Sequence, residues 1–310
     1  MSYALFEGRP LTTKGRWINP LVFGLFSIEK GLPQIKKVSK PIFIIGTGRS
    51  GTTILGLVLS MHRHVGFLNE PKALWNSLYP YEDLIGSYSC DDARYYLGAD
   101  DVTPHIRRGA RRIYGAYLML TGSERVVDKY PEIIFRIPFV RNIFPDAKFL
   151  FLSRNGWNTC TSINHWSKRH GEQGAAETHD WWGINNRKWK LLVEQVVPRH
   201  HDLHAKIEEI RNLTKHTDMA AVEWIVTMRE GMRLLESKHD VMLVNYESLC
   251  ERPRTVLSKI ASFAGLENDE VFLKYGELTL RPTKASDPID LHPAICDAFR
   301  STMRELGYER

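Results

Sequence analysis

From Pro41 onward, short apolar runs of β character alternate with longer helical ones, and this alternation predicts a parallel sheet covered by helices on both faces. The strand-like runs lie at 42–46, 65–68, 125–128, 148–153 and 241–245. Thr103 and Pro104 open a basic helix running to about Leu120, Pro131 takes the first turn of another, and Pro253 opens one that stops at Gly265. Pro138 falls inside the second of these helices and predicts a kink or a split there. Between Asn155 and Asp240 no run has strand character. The expectation for 155–240 is a helical insertion, rich in Trp, Arg and Lys, that covers the substrate. Residues 1–40, with their Gly, Pro, Lys and scattered aromatics, read as an N-terminal arm packed on the surface. No repeat, low-complexity tract or linker interrupts 41–310, which reads as one domain.

Composition narrows the picture only slightly. A chain of 310 residues with 43% hydrophobic and 25% charged residues is ordinary for a globular protein. A net charge of +6 and a pI near 9.0 suggest an anionic ligand, but the balance is too mild, and too free of basic blocks interleaved with aromatics, to imply nucleic acid. Cys90, Cys160, Cys250 and Cys296 are far apart and form no CxxC pair, which points to neither zinc nor a disulfide framework and suits a reducing cytoplasm. The apolar run at 20–26 is too short to span a bilayer and lacks a signal-peptide layout, so a soluble protein without a membrane anchor is expected.

The chemistry begins where the first strand ends. The stretch 42–53 reads IFIIGTGRSGTT, a buried strand emptying into a glycine loop and then a helix. Gly46, Gly48 and Gly51 let successive N–H groups and the helix N-terminus converge on phosphate oxygens, and Arg49 adds a fixed positive charge. Compared with GxxxxGK[ST], the spacing from Gly46 to Gly51 is kept, but Thr52 stands where the lysine belongs. Without that lysine, triphosphate hydrolysis and kinase chemistry are disfavoured. A second basic feature follows the strand 148–153, which runs into Arg154, a turn at Asn155 and Gly156, and a helix carrying Ser162. An arginine at the C-terminal end of a parallel strand sits where open α/β sheets bind ligands. Loop and arginine together imply two anion sites on one ligand.

On these motifs the chain resembles the sulfotransferases that use 3′-phosphoadenosine 5′-phosphosulfate, PAPS. The family's [KR]SGTT loop, which binds the 5′-phosphosulfate, is matched by Arg49, Ser50, Gly51, Thr52 and Thr53, with Gly48 before it where the family commonly has proline. Its arginine with a serine eight residues later, which binds the 3′-phosphate, is matched by Arg154 and Ser162. The stretch 244–266, VNYESLCERPRTVLSKIASFAGL, looks like the family's late strand and YExLxxxPxxxLxxIxxFxGL helix, so the resemblance places Tyr246 near the adenine. The late Arg-Lys-Gly of the cytosolic vertebrate enzymes is missing, with Arg281 and Lys284 the nearest basic residues. Their C-terminal dimerisation signature is missing too, so oligomeric state does not transfer. The resemblance implies a three-layer P-loop-like α/β sulfotransferase fold, PAPS as co-substrate, PAP as product and no metal.

Sulfonate transfer needs positioning, cations beside the leaving phosphate and a base for the acceptor's proton. Arg49 and the loop N–H groups meet the leaving-group charge. Lys129 in DKYP resembles the family's lysine near the sulfonate; a surface lysine paired with Asp128 is the plain alternative. Glu70, in Asn69-Glu70-Pro71 after the second strand, resembles the catalytic glutamate of glycan and tyrosyl-protein sulfotransferases, against the ordinary role of a glutamate satisfying a helix N-terminus. His62, His64 and His165 are reserve bases. His200, His201, Asp202 and His204 carry metal-like residue types, but helical spacing splits them between faces, and a solvated helix face is expected. Arg107, Arg108, Arg111 and Arg112 suit either a water-facing charge run or steering of an anionic acceptor. Trp166, Trp181, Trp182 and Trp189 suit core packing or sugar stacking in the cover. The reading is transfer to a hydroxyl, favouring a carbohydrate or sugar-containing metabolite, with a small natural product or tyrosine as alternative acceptors. A P-loop small-molecule kinase and a non-catalytic nucleotide-binding regulator are the alternatives from other classes.

Overall fold

Ile42, Phe43, Ile44 and Ile45 are all fully buried, as the middle strand of a sheet covered on both faces must be. A computed structural model of the chain describes residues 19–88, 92–173, 178–236, 239–284 and 286–309. Cys90 and the first eighteen residues of the N-terminal arm lie outside the described residues; Cys160, Cys250 and Cys296 are free thiols. Strands β1 (Ile42–Gly46), β2 (Val65–Asn69), β3 (Arg125–Lys129) and β4 (Lys148–Ser153) are followed by three short strands, β5 (Glu172–Gln173), β6 (Thr178–Asp180) and β7 (Gly183–Ile184), and then by β8 (Val241–Asn245). The main sheet has the order β2-β3-β1-β4-β8 with every pair parallel. The chain leaves β1 for one edge, returns through β3 and crosses to β4 on the other side. That reversal opens a crevice beyond the C-terminal ends of β1 and β4, the place where open α/β sheets take ligands.

Period-two alternation divides the core into two layers. Phe43, Ile45, Phe149, Phe151, Val126 and Leu68 join the core under the helices Asn19–Gly31, Pro104–Thr121, Gly156–His170, His216–Leu235 and Pro293–Glu305. Ile42, Ile44, Leu150, Leu152 and Val127 join the core under Thr52–Leu59, Pro253–Ala264 and Glu270–Thr279. Each such side chain contributes about 1.5–3 kcal/mol by leaving water. Among the described residues no helix is long and apolar enough to cross a membrane.

The structure departs from the sequence reading in four places. The region 155–240 contains β5, β6 and β7, which pair antiparallel as a small separate sheet; two or three residues per strand are too few to show alternation, and positive φ at Gly183, Asn185 and Asn186 makes the turns. The arm includes the helix Asn19–Gly31, which sends Val22 and Phe26 one turn apart into the main core. Of the arginine run, Arg107 and Arg111 donate to the carbonyls of Asn142 and Ile143, and Arg112 to that of Lys30 at 2.5 Å, so three of the four cap neighbouring helix ends while Arg108 faces solvent. His200 is buried and titrates near 4, lowered by burial and then by Arg229, whereas His201, Asp202 and His204 are exposed and Asp202 pairs with Arg229 at 2.8 Å. The segment after Pro131 does split, into a 3₁₀ turn Pro131–Phe135 and a helix Ile137–Ile143 with Pro138 in its first turn.

Candidate active site

The loop after β1 is closed by Ser50, whose N–H and hydroxyl both donate to the Thr47 carbonyl, at 3.3 and 2.6 Å. Arg49 has φ 67° and Gly51 φ 97°. Gly51 is the N-cap of Thr52–Leu59 and offers no side chain to it, so the first N–H groups of that helix remain directed at the loop. A Cβ on Gly51 would stand 2.3 Å from the Tyr246 ring, and one on Gly48 would stand 2.4 Å from Cη2 of Trp181. Both glycines are therefore required by close approach of an aromatic ring. Gly48 is a fitted position, where the sequence suggested only a looser turn.

Arg154 leaves the end of β4 and crosses to the same loop. Its Nη1 donates to the Arg49 carbonyl at 2.8 Å, and its guanidinium carbon lies 4.6 Å from the centre of the Tyr246 ring. Arg49 Nε in turn donates to Ser162 Oγ at 3.3 Å. Asn155 caps the helix that carries Ser162, accepting from the N–H groups of Trp157 and Asn158. Burial, and then the Arg154 charge, lower the Arg49 pKa, while Glu70 opposes them. Two arginines with parallel interests in one place favour an anion between them. Arg154 Nε and Thr47 Oγ1 are buried polar atoms without a hydrogen-bond partner among the described residues. Lys284 is exposed and reaches this cluster through its backbone, its carbonyl accepting from Asn158 Nδ2 at 2.9 Å.

Glu70 and Lys129 meet at the adjacent ends of β2 and β3. Glu70 N–H donates to the Lys129 carbonyl at 2.7 Å, and the Lys129 ammonium pairs with Glu70 Oε1. Lys129 is 2% exposed. The alternative of a surface lysine paired with Asp128 is thus excluded: Asp128 is buried and accepts from Trp75 Nε1 and Tyr114 OH. Glu70 has φ 54°, an unfavourable value for a side-chain-bearing residue, and its carbonyl accepts from Lys72 N–H at 2.7 Å. It precedes Pro71, the N-cap of Lys72–Leu78, and its carboxylate faces Lys129 and, at 3.8 Å, Lys72. Engagement with two lysines, beyond a helix dipole, is what holds it. Of the reserve bases, His62 and His64 lie at the opposite, N-terminal end of β2, bound to the Glu267 carbonyl at 3.0 Å and Glu124 at 3.1 Å, and His165 is exposed.

Sequence reasoning missed the groups behind Glu70. Lys72 pairs with Glu132, which pairs with Lys188, which pairs with Glu223, and Glu223 accepts from Trp181 Nε1. These partners are far apart in sequence, and no spacing announces them. The tryptophans divide accordingly. Trp182 and Trp189 are buried in the core, and half-buried Trp166 and Trp181 make an edge-to-face pair 5.4 Å apart beside the loop.

A parallel sheet with a glycine loop between its central strand and the following helix defines the P-loop-like class of α/β folds. Within that class, the profile of the sulfotransferase family matches residues 41–270, and the chain belongs to that family. It is similar to sulfotransferase STF1 from Mycobacterium tuberculosis, with a TM-score of 0.50, 14% identity, and coverage of 99% of this chain and 89% of that one, a likeness of fold. It is 23% identical over 308 residues to nodulation protein NoeE of Sinorhizobium fredii, covering 86% of this chain and 66% of the relative. It is 27% identical over 273 residues to an uncharacterized protein of Aquifex aeolicus, covering 86% of this chain and 30% of the relative. The chain thus spans just under two thirds of one curated relative and under a third of the other.

Proposed function

We propose that the chain transfers the sulfonate of PAPS to an acceptor hydroxyl, on a carbohydrate or sugar-containing metabolite. The observation that carries this reading is the convergence of Arg49, Arg154, Ser162 and Tyr246 with the Glu70–Lys129 pair at one end of the sheet. The residues fit the co-substrate: the loop at 48–53 with Arg49 suits the 5′-phosphosulfate, Arg154 and Ser162 suit the 3′-phosphate, the Tyr246 ring suits the adenine, and Lys284 stands on the 3′ side. Arg154 Nε and Thr47 Oγ1 are donors such a ligand would engage.

In the reaction the acceptor oxygen forms a bond to sulfur while the bond from sulfur to the 5′-phosphate oxygen breaks, leaving its electron pair on PAP. Arg49 and the loop N–H groups neutralise that charge, Lys129 supports the sulfonate and bridging oxygen, and Glu70 takes the hydroxyl proton. Lys129 and Glu70 hold each other until substrate separates their tasks. The insertion at 155–240 forms the acceptor cover, and the Trp166–Trp181 pair suits a sugar face. Thermal stabilisation by PAP should exceed that by ATP or AMP. E70Q should abolish label transfer from [35S]PAPS across a panel of neutral sugars, phenols and a tyrosine peptide while keeping the PAP shift. No preference for the 3′,5′-bisphosphate sinks the reading, and transfer to phenol or peptide alone replaces the acceptor.

A further inference from the structure

Six ionised side chains form a continuous line of alternating charge from the floor of the site to its aromatic cover. Lys129 pairs with Glu70, Glu70 with Lys72 at 3.8 Å, Lys72 with Glu132 at 3.7 Å, Glu132 with Lys188 at 3.4 Å and Lys188 with Glu223 at 2.5 Å. The line ends at Trp181, whose Nε1–H donates to Glu223 Oε2 at 2.7 Å. Its members come from β3, the loop after β2, the helix Lys72–Leu78, the turn Pro131–Phe135, the helix Arg187–Gln195, the helix His216–Leu235 and the turn between β6 and β7. It therefore joins the sheet to the insertion beside the glycine loop, which Trp181 touches at Gly48.

Stability alone gives such an arrangement little justification, because desolvation offsets most of the attraction between buried ions. Lys188 and Glu223 are 6% and 7% exposed. Function supplies a better reason. Trp181 is held on three sides: Lys188 Nζ lies 4.8 Å from its ring centre, Trp166 meets it edge to face, and its far edge rests on Gly48 beside Arg49. Any acceptor packed on Trp181 presses on Glu223, hence on Lys188, and Lys188 is the cation that Glu223 shares with Glu132.

We propose that Lys188 is a positioning residue that couples the Trp181 wall of the acceptor site to the charge environment of Glu70. The inference rests on the reading of Glu70 as base. Among the described residues, groups facing Glu70 include Lys129, Lys72, Glu132, Arg49 and, one residue before Lys129, Asp128. Burial favours a protonated Glu132, but Lys72 and Lys188 hold it below the usual carboxylate range against the repulsion of Glu70. Lys188, despite burial, is held fully charged by Glu223 and Glu132. Without Lys188, Glu132 keeps one cation, Lys72, which it draws away from Glu70. Glu70 then shares Lys72 with a carboxylate that has lost its second cation, and binds its proton more tightly.

The test is a difference infrared titration of the carboxyl band that E70Q removes, measured in the native background and again in the K188M background. K188M should raise the Glu70 midpoint by about one pH unit, tenfold in proton affinity, and K188R should return it toward the native value. W181F keeps an aromatic ring but removes the donor to Glu223 and the indole edge at Gly48. It should move the midpoint the same way by about half a unit, and it provides the answer if K188M does not fold. An unchanged Glu70 midpoint in the folded variants overturns the coupling. The PAP thermal shift should be retained in each, since the line does not include the arginines, and its loss points to collapse of the loop and counts against the proposal. Turnover by E70Q would defeat the base reading separately, a result distinct from an inactive E70Q together with an unmoved Glu70 midpoint in K188M.

Discussion

Replacing Gly51 by alanine tests the proposed nucleotide half of the site through a single methyl group. Two costs add. At φ 97° the backbone is left-handed, which costs an L residue about 1–2 kcal/mol. The new Cβ would also stand 2.3 Å from Cδ2 and Cε2 of Tyr246, an overpacking worth about 1–3 kcal/mol. Gly122 separates the two, since it has φ 66° and nothing within 4 Å of its Cβ position. G122A should lose the backbone cost alone. At about 2 °C per kcal/mol, the lower end for a chain of this length, G51A should melt about 2–6 °C below G122A. The function of the methyl is to push Tyr246, on which Arg154 rests at 4.6 Å while donating to the Arg49 carbonyl. Disturbing one charge-assisted contact to phosphate costs about 1.5–3 kcal/mol, so PAP affinity by calorimetry should fall about 10- to 150-fold. Adding Y246L to G51A should recover the overpacking part of the loss, bringing the melting temperature to about that of G122A, but leave PAP binding weak. G51A that melts with G122A and binds PAP like the native chain would refute the geometry.

Asp128 titrates near 7, raised by burial against hydrogen bonds from Tyr114 and Trp75. A folded pKa above the unfolded one means that its stabilising contribution is complete below about pH 4 and is lost as pH rises to about 7, by a few kcal/mol. D128N keeps an oxygen acceptor for both donors and should flatten that decline; urea unfolding at pH 5 and pH 8 should show the variant gaining on the native chain at pH 8, and parallel losses would count against the assignment. R111A removes the donor to the Ile143 carbonyl and should cost about 0.5–1.5 kcal/mol in urea without changing the salt dependence of turnover; a weakened salt dependence would return this arginine to acceptor steering.

The main sheet was legible because its inner strands are buried on both faces and its runs are bounded by glycine, proline and charge. Ile42–Gly46, Lys148–Ser153 and Val241–Asn245 begin and end where the pattern places them. The loop at 48–53, Arg154, Tyr246, Glu70 and Lys129 were legible as candidates because each stands at or just after a strand end, and Ser162 because it lies two helical turns beyond one; the geometry gathers them there. What stayed hidden has a common cause. β5 to β7 are held by turns and not by apolar alternation, and the arginines at 107, 111 and 112 find carbonyls on helices that no local pattern associates with them. The line from Glu70 to Glu223 joins charges whose meaning lies in pairs across the fold; each alone looks like a surface residue.

Gly48 shows how such hidden pairs reach into a legible motif. Read within the loop, a glycine before Arg49 is a permissive residue. In three dimensions its missing side chain is the seat of Trp181, a residue of the insertion, and Trp181 is fixed there by Glu223 and Lys188. The glycine loop therefore carries a contact to the 155–240 insertion. One indole ring touches the turn that holds Arg49 and, through Glu223, Lys188, Glu132 and Lys72, joins the line of ion pairs that reaches Glu70. On the roles proposed for Arg49 and Glu70, leaving-group stabilisation and acceptor activation are anchored to the same side chain, so exchanging the insertion should require refitting position 48.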